Sequence, residues 1–390
     1  MIIDVDAHGE PPPAVLEQAR ERAGLAGLDV GETTMRFIAG DLLDTMPRDE
    51  WPALADLLPP GAAAIGGLER VEGFAYEGAM QQGVADPKRR LAWLDANGID
   101  AQNIIALSGV SAARFVEDRL AARDLISAAN TYMGEAHAEL SDRLWPTTSL
   151  TYEDLDWVVA ELTRMRELGS RSFLLNAVPT NGIPHFHSEF DRVWSAAIDL
   201  GMLPILHVGN NPSFFADGWG NVEGDMALFR QVAICQGHQQ IQVMLNGLVF
   251  GGVFERHPEL TVLIAECGMH WFSGTIEHME QRDASQHVSP RLFFGDYRWS
   301  LSPTEFARRN LRITPLPNPM QSPVRLLQEL PECAVFSSDF AHNEGNPSPI
   351  DYYEDLLSDL PEATRRSFFG GSIAESFTRM GHPLAIPGRS

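Results

Sequence analysis

Lysine is almost missing from this sequence: Lys88 is the single one among 29 basic residues in a chain of 390. Its Pro-Lys-Arg-Arg setting reads as a helix start, which leaves no lysine for a Schiff base or for a carbamylated bridge between two metal ions. Cysteine is scarce as well. Cys235, Cys267 and Cys333 stand in apolar stretches without paired spacing, which excludes a disulfide framework and a thiolate cluster and fits a reducing cytoplasmic setting. Positive charge is short overall: a formal net charge of -24 argues against nucleic acid and anionic membrane surfaces as partners. No apolar run approaches the roughly 20 residues needed to span a bilayer, and the first residues enter a strand-like run without a basic leader, so a soluble protein without membrane contact is expected. No Gly-x-Gly-x-x-Gly follows a strand-like run, so a dinucleotide fold has little support.

What the chain does have is 44% hydrophobic residues, enough for a full core, arranged in a regular alternation. Strand-like apolar runs lie near 2–6, 100–106, 144–149, 171–175, 203–208, 261–266, 310–314 and 333–338. Helical patterns lie between them, over 87–97, 112–138, 153–168, 187–200, 225–256, 303–309 and 322–329. Such a rhythm predicts an α/β fold, a (β/α)8 TIM barrel over residues 1–382 as one domain, with 383–390 as a tail. Two excursions interrupt it. Residues 9–86 form an insertion after strand one, and 208–224 a Gly- and Asn-rich loop after strand five that carries Phe214, Phe215 and Trp219. Both are lid candidates, and the three aromatics are assigned to substrate contact, with an inert insertion or a subunit contact as the alternative.

Four strand-like runs end in a side chain able to bind metal. The first delivers Asp6 and His8, two residues apart and therefore on one face; others end in His207, Glu266 and Asp339. In a parallel barrel the C-terminal strand ends converge on one mouth, so two imidazoles and several carboxylates meet there, a set suited to zinc, iron or manganese.

The chain resembles the amidohydrolase superfamily, in the branch that includes aminocarboxymuconate-semialdehyde and resorcylate decarboxylases. The resemblance runs from Asp-Val-Asp-Ala-His-Gly-Glu-Pro through Ile-Leu-His-Val-Gly and Phe-Glu-Arg-His-Pro-Glu-Leu to Ser-Ser-Asp-Phe-Ala-His-Asn-Glu-Gly. It implies metal ligation by Asp6, His8, His207 and Asp339, with Asp6 where many relatives carry a first histidine. Two positions depart from the pattern. Glu266 stands where the decarboxylases carry a catalytic histidine, and strand four ends in Asn176, where dinuclear hydrolases carry a bridging lysine. We assign Asn176 to substrate contact and Glu266, Asp339 and His270 to catalysis.

Glu266 and His270 are four apart, a spacing that shares one face if the segment turns helical. A second ion can then take Glu266 and His270, with His342 as an optional third ligand and Glu344 beyond. Such a lysine-free, carboxylate-rich pair is similar to a dinuclear non-heme iron or iron/manganese centre, and the leading expectation is a monooxygenase that uses O2 to hydroxylate an apolar C–H bond of a small or thioester-linked acid. The alternatives are a mononuclear hydrolase or non-oxidative decarboxylase of a carboxylated substrate, and a non-catalytic metal-stabilised subunit. A homodimer is expected in each case.

Overall fold

A computed structural model describes residues 1–25, 86–113, 116–208, 237–285, 299–316, 321–340, 346 and 348–386. Seven parallel strands run in sequence order: β1 (Ile3–His8), β2 (Ala101–Ile105), β3 (Leu144–Thr148), β4 (Ser172–Leu175), β5 (Leu203–His207), β6 (Val262–Ala265) and β7 (Leu311–Ile313). Every residue in them is buried, the pattern of a parallel sheet filled on one face and covered by helices on the other.

The eighth apolar run does not form a regular strand. It touches its neighbours at two isolated bridges instead, Ala334 on Ile313 of β7 and Phe340 on Ala7 of β1. Backbone hydrogen bonds at both ends (Val335 N to Ile313 O, 3.0 Å; Asp339 N to Asp6 O, 3.0 Å) bring the last segment against the first strand and curl the sheet into a barrel.

Strand alternation separates two apolar layers. Val5, Trp145, Leu174, Ile205, Leu263 and Val335 share one cluster with Ile373 and Phe377 from the helix Ser372–Arg379 and with Met380, which follows it. Ile104, Phe173, Leu206, Val262 and Ile264 belong to the larger cluster with the surrounding helices. A polar layer crosses the inner face, where Asn103 donates to Thr147 Oγ1 (2.9 Å) and accepts from Ser172 Oγ (2.6 Å).

Several helices differ from the sequence expectation. The span 112–138 is two helices, Ser108–Ala113 and Arg119–His137, because Asp118 caps the second through the N–H groups of Leu120 and Ala121. The described part of 225–256 breaks after Phe250, where Gly252 takes a φ of 76° and Val253–Arg256 resumes. The helix Phe272–Ser285 and those after residue 348 were not foreseen. Among the described residues no helix is long and apolar enough to cross a membrane. Most of the first excursion (26–85), and nearly all of the loop carrying Phe214, Phe215 and Trp219, lie outside the described residues, as do His342 and Glu344.

Candidate metal centre

The five strand-end residues converge. Asp6, His8 and His207 form one triad, and His8, Glu266 and Asp339 a second, each with ligand atoms within 4.8 Å of one another. His8 belongs to both, so the two triads describe one centre. Its Nε2 lies 3.5 Å from Glu266 Oε2, 3.5 Å from Asp339 Oδ1 and 3.6 Å from Asp6 Oδ1. His207 Nε2 lies 2.8 Å from Glu266 Oε2 and 3.6 Å from Asp6 Oδ1. The two imidazoles meet edge to face, 5.1 Å between ring centres.

A bulge in β1 aims Asp6 and His8. The pairing Ile3 with Ala101 and Asp4 with Gln102 resumes as Ala7 with Ile104 and His8 with Ile105, so β1 holds one residue more than β2 over this stretch. Ile3 and Val5 pack in the inner cluster while Ala7 packs in the outer one, so the faces exchange between them. Asp6 and His8 therefore face inward although Asp4, in step with them by simple alternation, does not.

At two other positions the backbone itself is turned. Glu266 and Asp339 have φ values of 55° and 52°, and the remaining non-glycine residue with positive φ among those described is Asn181. Each left-handed carboxylate residue costs on the order of 1 kcal/mol, a strain that persists only where the surroundings enforce it and that collects at functional sites. Glu266 N–H donates to Thr314 Oγ1 (3.2 Å) and Asp339 N–H to Asp6 O (3.0 Å), which ties both turns to neighbouring chain.

The donor set fits a divalent cation. Three carboxylates surround two imidazoles with Asp6, His8, His207 and Asp339 buried, an excess of negative charge that a cation offsets. His207 Nδ1 donates to the Val208 carbonyl (2.5 Å), which turns Nε2 to the carboxylates. Burial disfavours charge on this ring, but Glu266 and then Asp6 outweigh it and hold its pKa up at about 10: the centre attracts positive charge. The mixture of nitrogen and oxygen donors suits manganese, iron or zinc.

Other expected residues go elsewhere. The segment after Glu266 is not helical; Gly268 has a φ of 62° and the helix begins only at Phe272, so Glu266 and His270 do not share a helical face. His270 is exposed, 6.3 Å from the ring of His238, and lines a separate cavity of about 310 Å³ with Ser273, Glu277 and Gln321. Asn176 follows β4 in step with the inward-facing Leu174, and its Oδ1 is buried with no hydrogen-bond partner among the described residues. Glu10 accepts the backbone N–H groups of Leu107 (2.7 Å) and Ser108 (2.9 Å) and so caps a helix. Cys267 is half-buried, and burial holds its thiol well above the usual range. Sequence reasoning missed the backbone turns and the buried residues Asp4, Gln102 and Arg90; the signal available was charge inside apolar runs, as in Ile-Ile-Asp-Val-Asp.

Comparison with known proteins follows the same lines. The gamma-resorcylate decarboxylase of Rhizobium sp. (strain MTP-10005) is 26% identical over 213 residues, 52% of this chain and 61% of the relative, so the match spans less than two thirds of that enzyme's length. An amidohydrolase from Mycobacterium avium subsp. paratuberculosis K-10 superposes with a TM-score of 0.67 at 17% identity, covering 96% of this chain and 98% of its own. The 5-carboxyvanillate decarboxylase of Novosphingobium aromaticivorans DSM 12444, solved with manganese and 4-hydroxy-3-methoxy-5-nitrobenzoic acid, superposes at 0.64 with 18% identity, covering 97% and 96%.

These findings overturn the dinuclear oxygenase expectation and lend its preference for iron no support. The relatives named for a reaction are decarboxylases, and one was solved with manganese. The geometry agrees: Glu266 joins the first centre and His270 lies outside it. His342 lies outside the described residues and bears on neither arrangement. The amidohydrolase family profile matches residues 5–377, nearly the whole chain, and the chain belongs to that family.

Proposed function

We propose that this protein is a mononuclear, divalent-metal-dependent non-oxidative decarboxylase acting on an aromatic acid with a hydroxyl group near its carboxylate. The observation that carries the reading is the sharing of His8 by both triads, which makes one ion-sized centre out of five side chains. The reactions named for the gamma-resorcylate and 5-carboxyvanillate enzymes support the substrate class, and manganese is the metal of choice.

Asp6, His8, His207 and Asp339 would hold the ion. Bound there, it would supply positive charge that anchors oxygen atoms of the substrate and fixes the orientation of the ring. The rest of the reaction needs a proton at the ring carbon that bears the carboxylate. Glu266 is suited to deliver it: it stands at the rim of the cluster with 9% of its side chain exposed, and its Oε2 is within hydrogen-bond reach of His207. Protonation of the carbon is followed by cleavage of its bond to the carboxylate, whose electron pair restores the ring as CO2 leaves. Asn176, with an unmatched acceptor in step with the inward-facing Leu174, would take a hydrogen bond from a substrate hydroxyl.

The test is anaerobic incubation of manganese-loaded protein with gamma-resorcylate and 5-carboxyvanillate. Stoichiometric CO2 and the decarboxylated phenol are expected, with no dependence on O2. Turnover of amides or lactones without CO2 release from any aromatic acid sinks the proposal.

A further inference from the structure

Behind the ligand strands, on the face turned away from the centre, a chain of fully buried polar groups runs from β1 to the last segment and back. Asp4 accepts the backbone N–H of Ser338 at Oδ1 (2.9 Å), and at Oδ2 it accepts the Ser338 hydroxyl (2.5 Å) and Gln102 Nε2 (2.7 Å). Gln102 Oε1 in turn accepts from Arg90 Nη1 (2.7 Å), and Arg90 Nη2 donates to the carbonyl of His8. The Arg90 guanidinium also lies over the ring of Phe340, 5.3 Å from its centre, and Phe340 stacks on Trp93 at 3.8 Å. Asp4, Arg90, Gln102 and Ser338 are all 0% exposed.

The two ends of this chain are informative. One is the carbonyl of His8; the other is Ser338, whose hydroxyl also accepts the N–H of Phe340 (3.1 Å), so that the bonds bracket Asp339 and its left-handed backbone on both sides. We infer that Asp4, acting through Ser338 and through Gln102 and Arg90, is a positioning residue that fixes the directions from which Asp339 and His8 address the cation. The inference rests on the metal reading of the centre but not on the reaction proposed for it. Outer groups that orient metal-binding side chains characteristically alter metal affinity about 10- to 100-fold when removed.

The experiment measures Mn2+ binding to the whole protein by calorimetry, with the electron paramagnetic resonance spectrum of the saturated forms as a readout of ligand geometry. Asp4→Asn keeps an acceptor for the Ser338 N–H but sets an amide against Gln102 Nε2; affinity is expected to fall about tenfold or more, with an altered spectrum. The double variant Asp4→Asn with Gln102→Glu restores a donor–acceptor match and the net charge, and is expected to return affinity to within about threefold of the parent. Ser338→Ala removes only the hydroxyl contacts, is expected to weaken binding about tenfold, and decides the matter alone if Asp4→Asn does not fold. Parental affinity and spectrum in Ser338→Ala and in any folded Asp4→Asn overturn the inference, whatever their melting temperatures. A parent that binds no Mn2+ overturns the metal reading itself and the inference with it.

Discussion

Glu266 Oε2 and His207 Nε2 stand 2.8 Å apart, closer than the 3.5–3.6 Å that separates the carboxylates from His8. The contact joins the end of β6 to the end of β5, and it places the most accessible carboxylate of the centre against an imidazole drawn to positive charge.

Glu266→Gln keeps the shape but removes that attraction. It is expected to lower Mn2+ affinity about 10- to 100-fold and to slow CO2 release, whereas His207→Ala and Asp339→Ala lose stoichiometric metal altogether. Elemental analysis after gel filtration reads all three. Full metal occupancy in His207→Ala and Asp339→Ala would show that these residues are not ligands.

One metal equivalent per chain is expected in the parent, and His270→Ala is expected to keep it, because His270 is exposed and apart from the cluster. Chelation should lower the melting temperature, since a ligand bound only by the native state at 100 times its Kd contributes about 2.7 kcal/mol. Two equivalents in the parent, one lost in His270→Ala, would revive the two-ion arrangement.

His137 and His185 give a pH dependence away from the metal. Burial is the main cause that pushes each down to about 4, below the 6.5 of an exposed ring. The native state thus holds them neutral: their contribution is complete above pH about 6.5 and is lost as pH falls towards 4, at most about 3 kcal/mol each. His185 lies 4.4 Å from the ring of Phe190 and 5.7 Å from Tyr152, so His185→Phe is suited to the site. Urea midpoints at about pH 7.5 and pH 5 should differ less in this variant than in the parent. Equal differences would show that His185 does not titrate on unfolding.

Phe377 packs at the opposite end of the barrel from the ligands, with Ile373 and Met380 and edge-on to Trp145 at 6.0 Å. Phe377→Ala is expected to cost about 3–5 kcal/mol of stability by opening a cavity, while metal affinity in the folded protein is unchanged. Equilibrium unfolding and calorimetry separate the two effects; a loss of affinity matching the loss of stability would contradict this division of the barrel.

The barrel was legible because seven of its strands are short, apolar and bounded, and the candidate centre because each of its residues ends such a run: Asp6, His8, His207, Glu266 and Asp339 could be placed together by topology alone. Geometry below that level was not. The four-residue spacing of Glu266 and His270 suggested a helical face, but the left-handed turns at Glu266 and Gly268 send the chain another way. The bulge in β1 leaves no mark in a run that alternates evenly on paper. The final segment reads as a strand from Cys333 to Ser338, yet its pairing is reduced to bridges at Ala334 and Phe340, with the left-handed turn at Asp339 between them. The reaction was hardest to read, since the same ligand types serve oxidation, hydrolysis and decarboxylation.

The bond between Asp4 and Ser338 spans 334 positions of the chain. Assembly of the centre is therefore expected to come late in folding: Asp6 and His8 emerge with β1, but Asp339 on the closing segment follows more than 300 residues later. Contacts of such long range slow folding, and a metal ion offered to a nascent or truncated chain finds half a site. Acquisition of the ion then reports completion of the barrel, and stopped-flow Mn2+ uptake during refolding should track the slowest structural phase.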